Sequence, residues 1–228
     1  MLEITHTAEP EILKRYKEDY PGPYTSDSWK HYKDYESAKA HDKVVIKELH
    51  SMQEGLCVYC ERRIFRVACE QHPEERDRQV EHLKSRSAYP QETLTFTNMA
   101  LSCISQGPRS KMTCGNKKGS QNLPILPTEK HGHLFDINFS TGELVPDLNA
   151  SDQETKDVKE CIRILNLNEA TLASERKAIL EKFEEIQQML AAYTEDENGL
   201  ITRYCRERTM KGEPYAHTFR KAFAKYIR

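Results

Sequence analysis

Several features that would place this chain quickly are missing. No stretch of its 228 residues approaches the roughly 18 consecutive apolar residues a membrane span needs. The first residues, Met1-Leu2-Glu3-Ile4-Thr5-His6, carry neither the basic nor the apolar region of a secretory leader, so the expected location is the cytoplasm. Internal repeats and low-complexity tracts are absent, and the composition makes collagen-like and coiled-coil readings poor. Net charge is only −2, so no global basic field announces a nucleic-acid partner. Hydrophobic residues make up 37% of the chain and mean hydropathy is −0.79, polar for a globular protein. Eleven Tyr, seven Phe and scattered Leu/Ile runs still suffice for a core, which excludes wholesale disorder.

Charge is unevenly distributed. Residues 55–120 hold 11 Lys/Arg against 7 Asp/Glu, and residues 200–228 hold 8 against 2. Between them, residues 121–199 hold 16 acidic groups against 7 basic ones. Two basic segments around an acidic one suit a polyanion site built from two parts of the chain, and they equally suit an ordinary solvated surface.

The seven cysteines are an odd number, and a disulfide framework does not suit a reducing cytosol. Cys57 and Cys60 form a C-x2-C knuckle, and Cys103 and Cys114 bracket a loop containing Gly, Pro and Ser. Two such pairs are the donor set of a structural Zn2+. The competing readings are a thioredoxin-like redox pair, which lacks its βαβ unit here, and buried free thiols. Cys69, Cys161 and Cys205 read as packing residues.

Periodicity predicts a helix over Glu9–Tyr20, closed by Pro21-Gly22-Pro23, and another over residues 36–53, with Ala38, Val45, Leu49 and Met52 on one side and Gly55 as its stop. Trp29 and Tyr32 are expected on the core. Strands are expected at Gln79–Leu83 and Leu94–Phe96, and a hairpin at Leu134–Ile137 and Glu143–Val145 around Ser140-Thr141-Gly142. A long helix from Glu169 to Tyr193 with Asn168 as N-cap carries the stripe Leu172, Ile179, Phe183, Ile186, Leu190 and Tyr193. A basic, aromatic helix over Tyr215–Ile227 ends the chain. The expected segmentation is 1–54 helical, 55–135 a core holding the cysteine knuckle, and 136–228 a hairpin and helical region.

Chemistry concentrates between the cysteine pairs. Glu81-His82 sits on the expected strand, Asn98 follows after 15 residues, and Asn116 comes two residues after Cys114. A histidine beside a carboxylate suits a general base next to a divalent-cation ligand, the cation offsetting charge on a scissile phosphate. Asn116 would offer that cation a neutral oxygen. Arg62, Arg86, Lys117 and Lys118 would hold flanking phosphates. Each residue also has a plain alternative: His82 as a buried structural histidine, Glu81 paired to Lys84 or Arg78, Asn98 capping a helix near Met99. His131-x-His133 is at most a weak metal pair.

The order C-x2-C, E-H, N, then C…C-x-N-K-K-G resembles the HNH nuclease motif, a ββα-metal finger braced by structural zinc. The segments ELHSMQEGLCVYCERRI, VEHLKSRSAYPQETLTFTNMALSC, CGNKKG, IRILNLNEATLASER and GEPYAHTFRKAF are also similar to the PtuB family, the HNH subunit of Septu and certain retron anti-phage systems. The resemblance implies an α+β fold with the finger set between N- and C-terminal helical segments. It implies a metal-dependent endonuclease with His82 as general base, Asn98 orienting that base and its loop, Glu81 and Asn116 on a catalytic Mg2+ or Mn2+, and Cys57, Cys60, Cys103 and Cys114 on Zn2+. It also implies a PtuA-type ATPase partner, a nucleic-acid substrate with DNA favoured, and, in the retron setting, a reverse transcriptase with its RNA–DNA product. Ten residues between Cys103 and Cys114, and Gly115 before Asn116, depart from the commoner HNH spacing. Competing expectations are an RNA- or tRNA-cleaving nuclease and a zinc-stabilised module that binds without cutting.

Overall fold

The computed structural model of the chain describes residues 1–39, 43–64, 78–105, 107–190 and 199–226. Cys69 and Tyr193 lie outside them. Helix α1 (Glu11–Asp19) buries Leu13 and Tyr16. The next helix, α2 (Ser28–Lys39), lies where only an aromatic cluster was expected. It buries Trp29, Tyr32 and Glu36, the last accepting hydrogen bonds from Tyr32 Oη (2.9 Å) and Val45 N (3.2 Å). Helix α3 (Val44–Met52) buries Val45 and Leu49, one helical turn apart. The predicted helix over 36–53 therefore corresponds to two: its first residues belong to α2, and α3 supplies the apolar stripe. After α3, Glu54 and Gly55 both take left-handed backbone, turning the chain into the knuckle.

The buried Gln53 fixes that turn. Its amide nitrogen donates to the carbonyls of Leu56 and Leu101 (both 2.8 Å), and its oxygen accepts from Leu101 N at 2.6 Å. It thereby ties the end of α3 and the knuckle to strand β2 (Met99–Cys103). Strand β1 (Arg78–His82) pairs antiparallel with β2, Glu81 opposite Ala100 and His82 opposite Met99. The strand predicted at Leu94–Phe96 is displaced. Phe96–Asn98 forms a 3-10 turn, and the strand begins at Met99, where the side chains from Met99 to Ser102 are all buried. Because Met99 opens a strand, Asn98 does not cap a helix there. Helix α4 (Cys114–Lys118) packs on β2.

The predicted hairpin forms as β3 (Phe135–Ile137) with β4 (Leu144–Pro146). Gly142, at φ +71, lies under α6 (Ala170–Leu190), and a Cβ there would come within 2.2 Å of the Ala173 carbonyl, so only glycine fits. The fully buried Arg176 of α6 reinforces the junction by donating to the carbonyls of Gly142 (2.6 Å) and Leu167 (2.8 Å). Asn168 clamps Leu144 through both its amide atoms. Between hairpin and α6 runs α5 (Asp152–Leu165), opened by a Ser151/Glu154 capping box and closed by Asn166 in left-handed backbone. Leu172, Phe183 and Ile186 of the predicted stripe are buried and Ile179 partly so. Phe183 joins Leu180, Cys205, Tyr215, Phe219 and Phe223 in a second core. That core also takes α7 (Leu200–Arg208) and α8 (Ala216–Ala222). The predicted terminal helix is α8 followed by a 3-10 turn, Ala224–Tyr226. Among the described residues no helix is long and apolar enough to cross a membrane.

Candidate metal centre and adjoining histidine site

The knuckle cysteines converge. The sulfurs of Cys57, Cys60, Cys103 and Cys114 all lie within 4.8 Å of one another, three of the residues buried and Cys103 partly so. Cys60 and Cys103 stand 3.7 Å apart, close to the edge of about 3.8 Å for a tetrahedron with 2.3 Å zinc–sulfur bonds. Cys103 N donates to Cys57 Sγ at 3.3 Å, orienting the first sulfur. Burial opposes ionisation of Cys57, but hydrogen bonds from Cys103, Cys114 and Cys60 outweigh it and hold the thiol well below its ordinary range. Glu61 and Cys114 take left-handed backbone beside the sulfurs. Four soft donors at this spacing fit a zinc ion. Cys161 and Cys205 are buried away from the cluster, as packing residues should be.

Beside this cluster stands Glu81-His82. The His82 ring is buried: Trp29 meets it edge-on with centroids 5.5 Å apart, and Nε2 lies 2.9 Å from the Thr93 carbonyl. A carbonyl oxygen only accepts, so Nε2 carries the proton and Nδ1 keeps the basic lone pair. Burial is the main force pulling the imidazole down to about 4. The positive charges of Arg86 and Lys118 add to it and the Thr93 bond partly opposes it, so the ring is neutral near pH 7.

Asn98 holds the loop between His82 and that carbonyl. Its Oδ1 accepts from Lys84 N (2.8 Å), and its Nδ2 donates to the carbonyls of Lys84 (3.1 Å) and Glu92 (3.2 Å). Its own carbonyl takes Leu83 N at 2.9 Å. Asn98 is thus bound to residues adjoining His82 and Thr93, without bonding the ring.

Glu81, almost fully buried, accepts from Tyr59 Oη at 3.2 Å and pairs with Lys118 Nζ at 2.8 Å. Burial still raises its carboxyl despite the Lys118 charge. As a buried hard-oxygen donor Glu81 suits a divalent cation. Asn116 Oδ1 accepts from Ser105 N at 3.1 Å, bracing the loop before α4. Gly115 approaches Glu81, for a Cβ there would lie 2.3 Å from Oε2.

The four basic residues proposed from sequence differ in their settings. Arg86 and Lys117 are partly exposed, donating to the carbonyls of Ser26 and Arg109. Arg62 forks onto Glu175 and reaches the Tyr215 hydroxyl, tying the knuckle to α6 and the turn before α8. Lys118 is 1% exposed and points inward. Glu81 pairs with it and not with Lys84, whose partner is Glu92. His131 is buried with both ring nitrogens on backbone carbonyls, those of Glu129 and Met1, and holds the first residues of the chain. Sequence reasoning missed Trp29, Tyr59, Gln53 and the Thr93 carbonyl as neighbours of the site. Only Tyr59, inside the knuckle, carried a positional signal.

No protein-family model matches the chain. A Vibrio cholerae serotype O1 biovar El Tor protein bearing the name "Retron Vc95 putative HNH endonuclease" is 30% identical over 185 residues, covering 80% of this chain and 83% of that protein. The matched length spans the cysteine cluster and the histidine site together, and on that extent the chain belongs to the retron HNH endonuclease family.

Proposed function

We propose that this chain is a metal-dependent endonuclease that hydrolyses nucleic-acid phosphodiesters, DNA being the favoured substrate, as the cutting subunit of an anti-phage complex. The observation that carries the reading is the buried imidazole of His82, its Nε2 held by the Thr93 carbonyl, on the strand beside a four-cysteine cluster, in a chain of this family. In this reading Nδ1 of His82 accepts a proton from water as the water oxygen bonds to phosphorus. The bond to the leaving oxygen breaks, and that oxygen departs with the electron pair. Asn98 and the Thr93 carbonyl keep the ring in register and so act as positioning groups. Glu81 would hold a Mg2+ or Mn2+ ion, which when bound offsets charge on the phosphate. The cysteine cluster would hold Zn2+ in a purely structural role, locking α4 and the knuckle against β2. Arg86 and Lys117 are the proposed phosphate contacts on the rim. A PtuA-type ATPase is the proposed partner that controls cutting, in a retron or Septu-like setting.

The test is incubation of the purified chain, with Mg2+ or Mn2+, with plasmid DNA and with total RNA, alone and with the ATPase. Cutting of DNA supports the full reading. Cutting confined to RNA keeps the chemistry and changes the substrate. A zinc-loaded protein inert under every condition would mean a binding module.

A further inference from the structure

Lys118 was expected to reach outward to phosphate, yet its ammonium is buried in the site. It lies 2.8 Å from Glu81 Oε1 and donates to the His82 carbonyl at 3.1 Å, so one cation grips both residues of the pair. Lys118 stands one helical turn after Cys114, and the cysteine cluster therefore fixes where its side chain begins. The opposite oxygen of Glu81, Oε2, lies so near Gly115 that a Cβ there would come within 2.3 Å of it, and Tyr59 donates to Oε1. The carboxylate is thus almost fully buried, and its positive partner is a residue of the chain itself.

We propose that Lys118 is the resident cation of Glu81 and that a divalent cation gains this carboxylate by displacing it. The inference rests on the reading of Glu81 as the divalent-cation ligand. Two cations on one buried carboxylate repel each other with little water to screen them, so binding of one weakens the other. Lys118 would then set how much divalent cation the site requires before it loads. It would also keep the Glu81 charge compensated whenever the cation is away. By reciprocity, loading must loosen Lys118 to the extent that Lys118 opposes loading.

Two measurements on the zinc-loaded full chain test this. The first is Mn2+ binding followed by the electron paramagnetic resonance of free Mn2+, for wild type, Lys118→Met and Lys118→Met/Glu81→Gln. Lys118→Met should bind Mn2+ about tenfold more tightly, within the usual range of coupling between ligands, and the double variant should lose that binding. The second uses wild type alone, so it stands even if Lys118→Met misfolds: reductive methylation of Lys118, read by mass spectrometry against exposed lysines. The buried amine should resist methylation without Mn2+ and react several-fold faster with it. Equal Mn2+ affinity in a folded Lys118→Met, or methylation unchanged while Mn2+ binds wild type, would overturn the exchange and leave Glu81 as ligand. No site-specific Mn2+ binding by any variant would instead overturn the metal reading of Glu81, and the exchange with it.

Discussion

Replacing Asn98 by alanine removes three side-chain hydrogen bonds at a residue only 4% exposed. The Lys84 N–H and the carbonyls of Lys84 and Glu92 lose their side-chain partner together. Each stranded group costs about 1–3 kcal/mol when water cannot replace the bond. Partial solvation of this loop brings the total near 3 kcal/mol. For a chain of this size about 3 kcal/mol lowers Tm by roughly 6–12 °C. The catalytic consequence travels through Thr93, which follows Glu92 and whose carbonyl holds His82 Nε2. Misplacing a reacting group by on the order of 1 Å costs about 100-fold in rate. Zinc content should not change, because Asn98 touches none of the sulfurs. The assays are thermal unfolding, zinc analysis and plasmid cleavage on the same preparation. Asn98→Asp sharpens the reading: it keeps an oxygen for Lys84 N but sets another against two carbonyls, so it should also be impaired. An Asn98→Ala protein that melts within about 1 °C of wild type and cuts at full rate would refute the positioning role.

Other outcomes follow from the same geometry. Cys60→Ser should reduce bound zinc well below one ion per chain by atomic spectroscopy and lower Tm steeply, since structural zinc supplies folding free energy. The folded-state value of His82, about 4, lies below the roughly 6.5 of an unfolded histidine. The stability from burying it neutral is full above pH 6.5, falls as pH drops from 6.5 toward 4, and amounts to about 3 kcal/mol. Urea denaturation at pH 7 and pH 5 should therefore show a larger loss for wild type than for His82→Ala. Gly115→Ala places a Cβ 2.3 Å from Glu81 Oε2 and 2.6 Å from Ser102 Oγ. Overpacking of this kind costs about 1–3 kcal/mol and should displace the carboxylate, lowering both Tm and cleavage. Unchanged values would mean Glu81 is held more loosely than its contacts indicate.

What the sequence conveyed depended on how directly a residue's type fixes its surroundings. The four cysteines were legible because few arrangements satisfy two such pairs without disulfides. Strand β1 and the β3–β4 hairpin were legible because their patterns and turn residues agree. Helix α2 was not, because its buried face mixes Trp29 and Tyr32 with Glu36, a carboxylate that breaks any apolar period and is buried only because Tyr32 and Val45 bond it. Strand β2 was misplaced by five residues because Met-Ala-Leu-Ser-Cys lacks β-branched side chains, and what makes it a strand is pairing with β1. Helix α5 announced itself through Ser151 and Glu154, and that capping box was overlooked. At the site, residue identity pointed to Glu81, His82 and Asn98, while orientation was invisible. Lys118 reads as a surface charge in any composition, and only the packing of α4 turns it inward.

The most direct test of the account is cleavage by wild type and His82→Ala at matched zinc content, with Mg2+ or Mn2+ and the ATPase partner present. The account predicts that removing the imidazole lowers the cleavage rate by about 100-fold or more, the usual contribution of a general base, while zinc and Tm show that the fold persists. Cleavage by a folded, zinc-loaded His82→Ala protein at the wild-type rate would contradict it.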